Sequence, residues 1–140
     1  MTTAALGYTS LQAVAGAGIT YRQLDYWVRT GLARPSLDDG SGHRRRWTYR
    51  DIIHLAVIAE LLASGMGFER IRVLMGGLTL PMDLADSTIF VANGARGVTP
   101  TDAVPQILRS MRGVLTLIPL TTVQQQVDER LGAPDDHFRT

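Results

Sequence analysis

The sequence contains no cysteine and no lysine among its 140 residues. The absence of cysteine excludes disulfide bonds, a thiolate zinc site and a cysteine nucleophile, and therefore redox sensing and soft-metal sensing. All fourteen basic residues are arginine, which we attribute mainly to codon bias, although a guanidinium suits phosphate and guanine better than an ammonium does. This bias receives little weight in the functional interpretation.

Long apolar runs are also missing, because no segment approaches the roughly 18 residues that a membrane span requires. The first residues, MTTAALGYTSLQ, lack the basic segment of a signal peptide, so we expect a cytoplasmic, nucleoid-associated protein without membrane contact. There is no Ser-His-Asp arrangement or phosphate-binding glycine loop, and His43, His54 and His137 lack ligand spacing. We therefore expect no enzyme activity, no cofactor and no metal.

Positive charge is concentrated in one segment, although the whole chain has a formal charge of only +1. Residues 19–50 hold seven arginines against three aspartates. Such a placed cluster indicates a polyanionic partner, and double-stranded DNA is the leading one.

Two capping boxes predict two short helices at the start of this region. Thr9 with Gln12, and Thr20 with Gln23, have the spacing in which a hydroxyl and a glutamine side chain satisfy each other's backbone amides. Small residues at 16–18 permit a tight turn between the helices. The second helix is predicted over residues 21–30, before Gly31, and the pair has the spacing of a helix-turn-helix.

The second helix supplies the candidate base contacts. Arg22 suits a guanine edge and Gln23 an adenine edge, while Tyr21 and Tyr26 suit phosphates. The alternative is that Gln23 only completes the capping box and Arg22 is a solvated charge. Trp27 is predicted to be a core anchor and not a DNA contact.

The loop after Gly31 carries the arginine triplet Arg44, Arg45 and Arg46 between glycines and Trp47. We predict a two-stranded wing in which residues 32–34 pair with residues 45–47, so that the arginines reach phosphates or the minor groove. The alternative is a solvated basic patch. Beyond the wing, Thr48 with Asp51 predicts a third helix that ends at Ser64 and Gly65, and a fourth follows over residues 68–75.

The segments ITYRQLDYWVRTGLARPS and GSGHRRRWTYRDIIHLAVIAELLASGMGFERIRVLM resemble the DNA-binding domain of the MerR family of bacterial transcription regulators. The resemblance covers about half the chain, including a GL-x-x-P segment at residues 31–35. It implies a recognition helix and wing that meet DNA through Tyr21, Arg22, Gln23, Tyr26, Arg44, Arg45 and Arg46, with Arg50 contacting the DNA backbone.

The chain departs from the family pattern at Asp25, where many members carry an arginine in the recognition helix. Asp25 has the spacing to form a salt bridge with Arg22 or with Arg29. The family's long dimerisation helix is not expected either, because Gly76, Gly77 and Pro81 interrupt any such heptad.

The C-terminal half predicts alternating strands and helices. Strands are expected at 88–91 and 114–118 and helices at 99–111 and 121–131, with a turn at Asn93 and Gly94; Gly94 and Gly97, near Arg96, are expected to make only a turn. Pro105 falls awkwardly inside the first of these helices, so it moves the start or kinks the first turn. We predict a unit that caps the DNA-binding module, self-associates or binds a partner or small-molecule effector; a ligand pocket has no residue signature.

These observations predict a mainly helical protein with a small β content. A winged helix-turn-helix occupies residues 1–77, a small α/β or α+β unit occupies residues 82–133, and residues 134–140 form a tail. The N-terminal module is expected to fold alone. The predicted function is a sequence-specific DNA-binding transcriptional regulator that forms a homodimer through the C-terminal unit, and the alternative is an architectural, excisionase-type DNA-binding protein.

Overall fold

The computed structural model describes residues 7–37, 45–92 and 95–132. Four helices come first, α1 (Ser10–Ala17), α2 (Tyr21–Arg29), α3 (Tyr49–Ala63) and α4 (Phe68–Gly76). The remaining elements are β1 (Ser87–Ala92), β2 (Ala95–Pro100), a 3₁₀ turn (Thr101–Ala103), α5 (Val104–Ser110), β3 (Thr116–Pro119) and α6 (Leu120–Leu131). The predicted class, mainly helical with a small β component after the helix-turn-helix region, is confirmed.

The first three helices begin at the predicted capping boxes. In each, the hydroxyl of an N-cap threonine accepts from the third helical amide, and that third residue's side chain accepts from the threonine amide; the pairs are Thr9–Gln12, Thr20–Gln23 and Thr48–Asp51. Helix α1 ends at Gly18, whose φ of +71° is a left-handed conformation that favours glycine. These local signals fix where α1 turns into α2.

The predicted pairing of the wing strands is wrong. The amides of Leu32 and Ala33 both donate to the carbonyl of Trp27, at 2.9 and 3.1 Å, because the chain folds back to close the end of α2. Trp47 instead pairs with Tyr8 as an isolated antiparallel bridge, and the Leu37 amide donates to the Arg46 carbonyl at 3.2 Å. The base of the wing is therefore tied to the segment before α1.

The predicted helix over residues 99–111 is wrong in its first part, because Thr99 and Pro100 belong to β2 and the α-helix begins only at Val104. Pro105 accounts for this start, since a proline without an amide hydrogen fits best in the first helical turn. The turn predicted around Gly97 is also wrong, because Gly97 lies within β2 opposite Phe90. Asn93 and Gly94, predicted as a turn, lie outside the described residues.

The sheet has the order β2-β1-β3, and both neighbours of β1 are antiparallel to it. Helix α6 follows β3 directly and packs on α1 and α3. The described residues share one continuous apolar cluster that includes Leu24 and Ile52 from the first half and Ile89, Val123 and Val127 from the second. The N-terminal and C-terminal halves therefore pack against each other through one core. The predicted domains, residues 1–77 and 82–133, stay a prediction.

Candidate nucleic-acid interface

Helix α2 presents one side to solvent and buries the other. Leu24 and Trp27 are 0% and 2% exposed, which confirms the prediction that Trp27 is a core anchor. The side chains of Tyr21, Arg22, Gln23 and Tyr26 are all exposed. The structure thus brings together the four sequence-predicted residues of this helix on a surface that is free to meet a partner.

The capping box engages Gln23. Its side-chain oxygen accepts from the backbone amide of Thr20 at 2.9 Å, and the backbone amide of Gln23 donates to the Thr20 hydroxyl at 3.0 Å. A bidentate contact with adenine needs both the oxygen and the nitrogen of a glutamine side chain. In this arrangement the oxygen already accepts one hydrogen bond, so a bidentate adenine contact would have to share it with the Thr20 amide.

One of the three wing arginines, Arg45, contacts this helix, while Arg44 lies outside the described residues. Arg45 Nη2 is 3.5 Å from Asp25 Oδ1, while Asp25 Oδ2 accepts from Arg29 Nε at 3.0 Å. Among the described residues Arg22 and Arg46 form no ion pair. Asp25 therefore pairs with Arg29, one of the two expected partners, and also with a wing residue that sequence spacing does not reveal.

An aromatic contact joins α2 to α4. The rings of Tyr26 and Phe68 have centroids 5.4 Å apart, with Arg29 6.0 Å from the Tyr26 centroid and Arg72 5.1 Å from the Phe68 centroid. Arg72 also donates to the carbonyl of Thr30 at 2.6 Å, at the end of α2 where carbonyls lack helical partners. The sequence pattern did not reveal this role of Arg72 as a brace for α2.

Arg50, unlike the other predicted contact residues that the structure describes, hydrogen-bonds to the segment that follows α4. Its guanidinium donates to the carbonyls of Pro81 and of Leu80, the latter at 2.6 Å. Arg50 therefore fastens the segment after α4 to the first turn of α3. The DNA-contact role that the family resemblance implies for Arg50 stays a prediction.

The described residues hold no group of three or more metal-ligating side chains. Within the same residues, no helix is both long and apolar enough to cross a membrane. Burial lowers the pKa of His54 on α3, and the negative charge of Asp51 partly opposes this shift. His54 is half-buried within α3.

Comparison with known proteins adds to this geometry. The model of the MerR HTH family of regulatory proteins matches residues 8–78. Two proteins of Mycobacterium tuberculosis strains and one of Mycobacterium bovis, all described as uncharacterized HTH-type transcriptional regulators, are each 38% identical over 115 residues. That alignment covers 78% of this chain and 51% of each relative, so the chain spans about half the length of the curated relatives it matches. With its capped helix pair and adjacent wing base, the chain belongs to the MerR HTH family of regulatory proteins.

Proposed function

We propose that the chain is a sequence-specific, double-stranded DNA-binding transcriptional regulator whose helix α2 enters the major groove. One observation carries the proposal: the exposed face of α2 lies beside the wing arginine Arg45, while the opposite face is anchored in the core. Family membership and the names of the relatives support the same function. A braced helix with an adjacent cationic loop meets the geometric needs of groove recognition.

Each exposed residue has a role that follows from its chemistry. Arg22 pairs with a guanine edge, and the side-chain nitrogen of Gln23 donates to a neighbouring base. The hydroxyls of Tyr21 and Tyr26 donate to phosphates. Arg45 and Arg46, with Arg44, contact phosphates or the minor groove and set the register of α2.

The test is selection of bound duplexes from a random pool, followed by titrations of the enriched sequence. Arg22→Ala should relax base preference at one or two positions and weaken specific binding about tenfold or more, because a good bidentate pair contributes roughly 1–3 kcal/mol of discrimination. Replacing Arg44, Arg45 and Arg46 together by alanine should weaken binding to all duplexes. It should also lower the slope of the logarithm of the binding constant against the logarithm of salt concentration by up to about 3. Arg109→Ala is the control, since Arg109 is an exposed arginine on α5.

Two outcomes would contradict the proposal. Unchanged binding after the triple substitution would remove the wing from the interface. Failure to enrich any motif, with strong DNA bending instead, would favour the architectural alternative.

We also propose that the chain forms a homodimer through its C-terminal unit. Within the described residues, strands β2 and β3 are the outer strands of the sheet and pair with β1 alone. Leu108 and Val114, nearby in sequence, are large apolar side chains that are exposed. Two linked modules bind two half-sites far more tightly than one module does. Sedimentation of the protein with Leu108→Asp and Val114→Asp should show a shift toward monomer, whereas Val73→Asp, at an exposed apolar residue of α4, should not. A monomeric parent protein would refute this assignment.

A further inference from the structure

Asp25 is the only acidic residue of α2 and lies within the surface that faces the proposed DNA. Each of its two carboxylate oxygens meets a different guanidinium, Oδ2 that of Arg29 on the same helix and Oδ1 that of Arg45 from the wing. The contact with Arg45 joins residues twenty positions apart. It is the only ion pair between α2 and the wing base among the residues that the structure describes.

The partner on the helix is itself held in place. Arg29 lies over the Tyr26 ring, and this ring contacts Phe68, over which Arg72 lies. A series of contacts therefore runs from the wing through Asp25 and Arg29 to α4. Because Arg29 has a contact on each side, the carboxylate between Arg29 and Arg45 is held at a defined place on α2.

We infer that Asp25 is a positioning residue for DNA recognition, which holds Arg45 against the recognition helix and limits the charge offered to non-cognate DNA. This inference rests on the proposed DNA-binding function and deepens it. An arginine paired to a carboxylate keeps part of its donor fork free but loses the freedom to follow any nearby phosphate. Held in this way, Arg45 contacts a phosphate only where α2 is in register with its cognate bases.

A merely structural role for Asp25 predicts something different. The Asp25 side chain is 40% exposed and that of Arg29 is 65% exposed, and solvent screens such pairs so strongly that they contribute little to folding stability. A change at Asp25 should therefore leave thermal stability nearly unaltered. Its effect should appear in the ratio of specific to non-specific binding and in the salt dependence.

The experiment compares Asp25→Asn with Glu69→Gln in the full chain. Both changes remove one negative charge from an arginine pair, but Glu69 pairs with Arg72 within α4, at 4.0 Å, and has no ion pair with the described part of the wing. The probes are the duplex enriched by selection and a scrambled duplex of the same length. For Asp25→Asn we expect binding to the scrambled duplex to strengthen several-fold and the ratio of specific to non-specific binding to fall about tenfold. The salt-dependence slope for the scrambled duplex should rise by about 1 to 2, because the arginines are released to phosphates.

A second pair of variants assigns the effect to Arg45. In an Arg45→Ala background, Asp25→Asn should change the specificity ratio much less than it does in the parent protein, because the residue it positions is gone. The inference is overturned if Asp25→Asn changes the ratio no more than Glu69→Gln, or if its full effect persists without Arg45. A parent protein with no preference between the two duplexes would instead overturn the proposed function itself, so the two failures are distinguishable.

Discussion

Gly16 gives the sharpest test of how the two halves of the chain are joined. It lies in α1 where α1 meets both α3 and α6, and a Cβ atom at this position would be 3.0 Å from Ile52 Cγ2 and 3.0 Å from Leu131 Cδ2. Carbon atoms in good packing lie roughly 3.5–4.0 Å apart. Ile52 is fully buried and β-branched, so the space must come from Leu131, by rotation of its side chain or by a shift of α6.

The expected magnitude is the difference between two opposing effects. Overpacking destabilises by roughly 1–3 kcal/mol, while replacing a helical glycine by alanine stabilises by at most about 1 kcal/mol. We therefore expect Gly16→Ala to lower the free energy of unfolding by about 1 kcal/mol, and Gly16→Val to lower it by about 2–3 kcal/mol because two further methyl groups enter the same space.

Urea unfolding followed by far-ultraviolet circular dichroism measures both changes as shifts in the midpoint at constant slope. Gly76→Ala is the matched control, because Gly76 ends α4 and has no atom within 4 Å of a built Cβ. That variant should be neutral or slightly more stable than the parent. If Gly16→Ala stabilised the protein as much as Gly76→Ala does, the close approach of α6 to α1 would be refuted.

Three further predictions concern single side chains. Thr20→Ala removes the hydroxyl that accepts from the Gln23 amide and should destabilise by about 1 kcal/mol in urea unfolding, whereas Thr20→Ser should restore most of the loss; equal stability of the two variants would contradict the capping role. Tyr49→Phe removes the 2.7 Å hydrogen bond to Asp128 on α6 and should destabilise by about 1.5–3 kcal/mol, so a change below about 0.5 kcal/mol would argue against this link. Because burial lowers the pKa of His54, the unfolded chain takes up the proton first as pH falls through about 6.5, so the melting temperature should fall between pH 7.5 and 6.0. His54→Gln should weaken that pH dependence, and an unchanged dependence would contradict the shift.

The N-terminal half follows from local sequence signals, which is why most of it could be predicted. A threonine followed three residues later by glutamine or aspartate determines a helix start from its own hydrogen bonds, as at Thr9, Thr20 and Thr48. The burial of Trp27 and the exposure of Arg22 then follow from helical spacing.

The errors occur where distant residues decide the structure. Nothing near Trp47 in the sequence shows that it pairs with Tyr8, and the amides of residues 32 and 33 are used by α2 before they can join a strand. Residues 99 and 100 extend because they pair with β1, which overrides the helix signal that follows them. The Asp25–Arg45 contact was beyond prediction for the same reason, since ion pairs between separate segments leave no periodic signal.

The bonds from Arg50 to the carbonyls of residues 80 and 81 bear on the distance between two DNA half-sites. With this segment fastened to α3, and α6 packed on α1 and α3, a dimer formed through the C-terminal sheet would hold its two recognition helices at a fixed separation and rotation. Such a dimer would bind only half-sites at one spacing. Inserting about five base pairs between the half-sites turns one of them about half a DNA helical turn away from its recognition helix. Binding should then fall to that of a single half-site and recover in part when ten base pairs are inserted.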